Sequence, residues 1–214
     1  MSKYKTVIFD FDGTIVDTFG IVVDIINKDH IAFGIDHIDL EELPRLRDMS
    51  IKYLLEEFGV NVLKFPSFLS KIRKELAKRI YEAKIFDGME VLFKEINKLG
   101  IEQGIITNNY VKNVTDVFSD EQEKMFKFIR SEKRLFGKHH EIRKVIKEQG
   151  YKKDDVLYIG DEVSDIEACQ KVGIDVIAVT WGFNSKKVLQ KHKPTYIADN
   201  PTCILDIIIG RSHT

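Results

Sequence analysis

The stretch VIFDFDGTIVDT, residues 7–18, sets the apolar run Val7, Ile8 and Phe9 directly against three acids, Asp10, Asp12 and Asp17. A continuous apolar run of this length reads as a strand buried on both faces. Carboxylates crowded at its end repel one another and resist desolvation, so something must compensate their charge. Three further runs share the pattern: GIIT (104–107), VLYIGD (156–161) and IDVIAVT (174–180). Helix-like segments separate the later runs, at 89–99, 110–118, 139–149 and 163–172. Gly100, Gly150 and Gly173 follow three of them, where a helix ends most easily in a left-handed residue. Strand alternating with helix predicts a doubly wound α/β layer on a parallel sheet.

Residues 18–85 break that rhythm. They hold no convincing strand, whereas 18–33 and 51–58 read as helical, and Leu69, Ile72, Leu76, Ile80 and Ala83 recur on one face of an amphipathic helix. An all-helical block between the first strand and the next helix is expected to be an inserted lid. The chain has 214 residues, 43% of them hydrophobic, enough for one large domain, or for one domain that carries a smaller one. A formal net charge of −1 without a long basic block argues against nucleic acid or an anionic membrane as the main partner. Two cysteines, Cys169 and Cys203, form no disulfide framework, and no apolar run approaches transmembrane length. A cytoplasmic protein without a secretory signal is expected.

Three of the four runs end in polar residues: DFDGT, TNN and GDEVSD. In an open parallel sheet the carboxyl ends of the strands share one edge, and ligands bind in the crevice there. Asp10, Asp12, Thr107, Asn108, Asp161 and Asp165 are thus predicted to converge. Oxygen donors with few imidazoles or thiolates favour Mg²⁺ over zinc. With a cation bridging, an aspartate oxygen can approach phosphorus, and a covalent aspartyl phosphate becomes reachable. Asp10 and Asp12, two residues apart on an extended chain, point to one face and can divide labour as nucleophile and proton donor. Gly13 permits the sharp turn that brings backbone N–H groups to an anion.

At these residues the sequence resembles the haloacid dehalogenase superfamily. Its first motif, DxDGT, stands here as Asp10-Phe11-Asp12-Gly13-Thr14; its second, a strand ending in Ser or Thr, as Thr107; its GDxxxD motif as Gly160 to Asp165. The helical insert resembles the family's C1 cap, and VTWGF (179–183) resembles the phosphoglycolate-phosphatase-like branch. The resemblance implies a Rossmann-like core from 1–17 and 86–214, with a cap from 18–85. It implies Asp10 as nucleophile and metal ligand, Asp12 as acid/base and ligand through its carbonyl, and Asp161 and Asp165 as further metal positions. Thr107, Asn108, Gly13 and Thr14 would contact the substrate phosphate. The motif lysine would be Lys138, although His139 follows it where proline is usual, and Lys133 is the other candidate. Arg47, in PRLRDMS, has the geometry to clamp a substrate carboxylate or phosphate, its alternative being an ordinary surface arginine.

The expected activity is Mg²⁺-dependent hydrolysis of a small soluble phosphomonoester, phosphoglycolate-like by resemblance, by a monomer or dimer. Asp12 points to an ester because an alkoxide leaving group needs a proton. The first alternative is a sugar-phosphate mutase of the β-phosphoglucomutase type, weakened by the missing histidine in DTFGIVVD and by Ile51 after MS. The second, from another class, is a non-enzymatic phospho-accepting or phosphometabolite-binding module, weakened by the helical insert.

Overall fold

The computed structural model describes residues 2–57, 65–134 and 136–211. Among the described residues eight strands are formed: β1 (Thr6–Phe9), β2 (Val16–Asp17), β3 (Lys84–Ile85), β4 (Glu102–Thr107), β5 (Phe126–Ser131), β6 (Val156–Gly160), β7 (Asp175–Val179) and β8 (Tyr196–Ala198). Six of them make one sheet in the order β5-β4-β1-β6-β7-β8, and every pairing in it is parallel. β1 is central: Phe9 lies level with Ile105 of β4 and Ile159 of β6.

The sheet is buried on both sides, which is why its inner strands are apolar without alternation. Successive side chains of β1 serve opposite faces. Val7 and Phe9 join Ile105, Ile159 and Ile177 under the helices Met89–Lys98 and Pro201–Ile209. Ile8 joins Ile106 and Tyr158 under the helices Lys138–Gln149 and Val163–Val172. Phe9 is gripped further by edge-to-face contact with Phe93 and Phe126, centroids 5.4 and 6.4 Å away. Such pairs add about 0.5–1.5 kcal/mol beyond burial and fix the strand end that presents Asp10.

β5 and β8 are strands that sequence patterning did not reveal. β5 is an edge strand whose Lys127 is exposed and whose Arg130 is half-buried, so its run is interrupted by charge. β8 is only three residues long. Gly104 in β4 lies directly opposite Phe128 of β5, and a Cβ there would overlap the Phe128 ring. Gly104→Ala is expected to cost about 1–3 kcal/mol by overpacking, read as a lower urea midpoint at unchanged slope.

Between Thr18 and Ala83 the described elements are helical, chiefly Phe19–Lys28, Leu43–Arg47, Ile51–Glu57 and Phe65–Arg79. Phe58, expected within the third, lies outside the described residues. Ile25, Ile72 and Leu76 form a small core of their own, with Val22, Ile26 and Phe68 packed on it. Ile80, the continuation of the same stripe, belongs instead to the main core. The expectation of no strand in this block is corrected at its exit. Lys84–Ile85 pairs antiparallel with Val16–Asp17, so the two chain crossings into and out of the insert are tied together.

Candidate active site

The strand ends deliver their side chains to one edge. Asp10 follows β1 directly, Thr107 closes β4, and Asp161 follows β6. Asp10, Asp161 and Asp165 are all buried, and each offers a carboxylate oxygen within 4.8 Å of the others. Lys138, the first residue of its helix, is also buried, and its Nζ stands 2.6 Å from Asp10 Oδ2 and 2.5 Å from Asp165 Oδ1. Lys133 is exposed, and its carbonyl accepts from Arg73.

Each acid is held by further donors. Asp161 Oδ1 accepts from the Thr14 hydroxyl (2.7 Å) and Oδ2 from the Phe183 N–H (2.7 Å). Asp165 Oδ2 accepts from the Glu162 N–H (3.1 Å), so the residue also caps the helix that carries it. Gly13 has φ +75° and permits close approach: a Cβ at Gly13 or Gly182 would run into the Asp161 carboxylate. Asp12 is partly exposed. Its carboxylate accepts from the Thr18 hydroxyl (3.0 Å) and from the Asn109 amide, 3.1 Å to each oxygen.

Burial pushes the Asp10 and Asp161 carboxyls well above the ordinary carboxylate range, and neighbouring carboxylates push both further. Burial also raises Asp12, against the opposing pull of Thr18 and Asn109. For Lys138 burial alone would favour the neutral amine, but Asp10 and Asp165 outweigh it and hold the ammonium protonated. One ammonium among three carboxylates leaves two negative charges when all are ionised. A hard divalent cation fits that deficit and the all-oxygen donor set, which contains no imidazole or thiolate.

Asn108 turns its amide to the Glu132 and Arg134 carbonyls, 2.7 and 3.1 Å away, while its neighbour Asn109 reaches Asp12. Thr107 Oγ1 accepts from the Asn109 N–H at 2.9 Å and orients that turn. Arg47 donates to the carbonyls of Gly182 (2.6 Å) and Thr180 (3.4 Å) and lies over the Phe19 ring. It therefore straps the helical insert to the loop after β7. Asn109, Thr18 and Arg73 are site residues that sequence reading missed. The doubled Asn of TNN was the available signal for the first; nothing in the sequence marked the other two.

A cavity of about 260 Å³ opens at Asp10 and Asp12 and runs into the helical insert. Asn108, Asn109, Lys138 and Ser164 line it near the sheet, and Val22, Ile26, Ile35, Leu46, Leu69 and Leu76 are among its apolar walls. Arg73 also lines it, with Nη1 on the Lys133 carbonyl (3.1 Å) and a buried Nη2 that has no hydrogen-bond partner.

No helix among the described residues is long and apolar enough to cross a membrane. Phosphoglycolate phosphatase of Synechococcus elongatus is 28% identical over 206 residues, covering 95% of this chain and 97% of that protein. A 5'-nucleotidase of Pseudomonas aeruginosa is 25% identical over 209 residues, covering 92% of each. The crystal structure of a predicted phosphatase from Clostridium acetobutylicum shares the fold, with a TM-score of 0.81 at 23% identity over 97% of this chain and 99% of that one. The sequence model of the haloacid dehalogenase-like hydrolases matches residues 7–179, most of the described core together with the insert. The chain is thus an enzyme, a hydrolase, and it belongs to the haloacid dehalogenase-like hydrolase family.

Proposed function

We propose that this hydrolase is a Mg²⁺-dependent phosphatase that cleaves a small soluble phosphomonoester through an aspartyl phosphate on Asp10. The observation that carries the reading is the buried group of Asp10, Asp161 and Asp165 with Lys138 between two of its members. Asp10, Asp161, Asp165 and the Asp12 carbonyl would hold the ion. Bound Mg²⁺ offsets the carboxylate charge that would otherwise repel a phosphate dianion, and it polarises the P–O bonds.

Lys138 holds Asp10 Oδ2 and so leaves Oδ1 for attack. As the bond from Asp10 to phosphorus forms, the ester P–O bond breaks and Asp12 gives its proton to the leaving oxygen. Burial favours the protonated Asp12 that this step requires. Asp12, now a carboxylate, takes a proton from water as that water attacks phosphorus. The Asp10–phosphorus bond breaks, inorganic phosphate leaves, and both acids are restored. Thr18 and Asn109 hold the Asp12 carboxylate in place through both steps. The Thr107 hydroxyl is the proposed phosphate donor; the Gly13 and Thr14 N–H groups, expected to contact phosphate, donate instead to the Val16 and Phe11 carbonyls (2.8 and 3.3 Å).

Residues 18–85 act in this reading as a cap over the core formed by 1–17 and 86–214, closing on the β2–β3 ribbon to exclude bulk water. Arg47 has a positioning role here, joining cap to core through Gly182. Phosphoglycolate, in the name of the cyanobacterial relative, is the reference ester. Phosphate release from p-nitrophenyl phosphate is expected with Mg²⁺ and to fall at least about 100-fold with EDTA. Release that is indifferent to chelation would reject the metal-dependent reading.

A further inference from the structure

We infer that the leaving group of the substrate is an apolar body seated inside the helical insert. This rests on Asp10 as the group that receives the phosphoryl. The cavity begins at Asp10 and Asp12, so a phosphate held there directs the rest of the ester into it. Beyond the mouth its walls are Ile26, Ile35, Ile38, Leu46, Leu69 and Leu76. Water gains nothing from such a lining: an apolar cavity of roughly 150 Å³ stays dry and takes benzene. At about 260 Å³ this one has room for the phosphoryl end and a chain or substituted ring beyond it.

The insert contributes two charged side chains to the lining, Arg47 and Arg73, and its other lining residues are apolar. Arg73 lines the cavity, and its buried Nη2, which has no hydrogen-bond partner, is a donor available to a polar group of the ligand. A short hydroxy-acid phosphate would leave the apolar depth unfilled. An ester carrying an alkyl chain of about six carbons, or an aryl group of similar size, would fill it.

Non-hydrolysable alkylphosphonates test this without turnover. With Mg²⁺ present, calorimetric Kd is expected to tighten about fourfold per methylene, or about 250-fold from ethyl- to hexylphosphonate. A change of less than tenfold overturns the inference. Val23→Trp and, separately, Leu69→Trp place an indole in the cavity and are expected to flatten the series; folded variants that keep the full chain-length dependence also overturn it. The matching alkyl phosphates are then assayed for phosphate release. Chain-dependent phosphonate binding with no release from any ester supports the apolar site and rejects hydrolysis. Release combined with a flat phosphonate series rejects the apolar site alone.

Discussion

Asp10→Asn is expected to lower phosphate release by about 10⁴-fold or more while leaving the protein folded. The amide is nearly isosteric with the carboxylate, so Phe9 and the strand end keep their packing. Nucleophilicity is lost because the amide oxygen carries no charge to share with phosphorus. Stability should not suffer, since Asp10 is one of three buried carboxylates within 4.8 Å and its removal relieves like-charge repulsion. Lys138 keeps Asp165 as a partner at 2.5 Å. Steady-state kinetics and a thermal melt together check both halves. An active, folded variant would remove Asp10 from the chemistry.

Lys138→Met should act on stability as well as on activity. The buried ammonium is the positive charge that meets Asp10 and Asp165, and a methionine of similar length leaves those carboxylates uncompensated. Breaking one side of a buried ion pair costs about 3–5 kcal/mol. That loss is expected in urea denaturation at pH 7 in EDTA. In the proposed reading Mg²⁺ would bind only the folded cluster, so it should raise the melting temperature of the variant more than that of the parent chain. Turnover should remain low even with Mg²⁺, because Asp10 Oδ2 is no longer held. A stability loss under about 1 kcal/mol would mean that the lysine does not carry the charge balance of the site.

The sequence disclosed those parts of the fold whose burial is uniform. β1, β4, β6 and β7 are central, apolar on both faces, and readable as continuous runs. β5 and β8 were not readable, because an edge strand needs no unbroken apolar run and three residues make no pattern. The short ribbon of Val16–Asp17 with Lys84–Ile85 depends on a pairing across the whole insert, which no local signal records. At the site, the convergence of Asp10, Asp161 and Asp165 followed from where parallel strands end. Which of Asn108 and Asn109 faces Asp12 is decided by the turn after Thr107, which swings the first to the Glu132 carbonyl and the second inward. Arg73 and the apolar cavity arise only when the insert's helices pack together, so composition held no trace of them.

The central claim is that an oxygen of Asp10 carries the phosphoryl group between two half-reactions. Acid quenching of the enzyme during turnover of a ³²P-labelled ester with Mg²⁺, followed by peptide mapping, addresses it directly. Label is expected on the peptide containing Asp10 in the parent chain and to be missing in Asp10→Asn. Rapid phosphate release with no labelled protein at any quench time, or label on another peptide, would contradict the account.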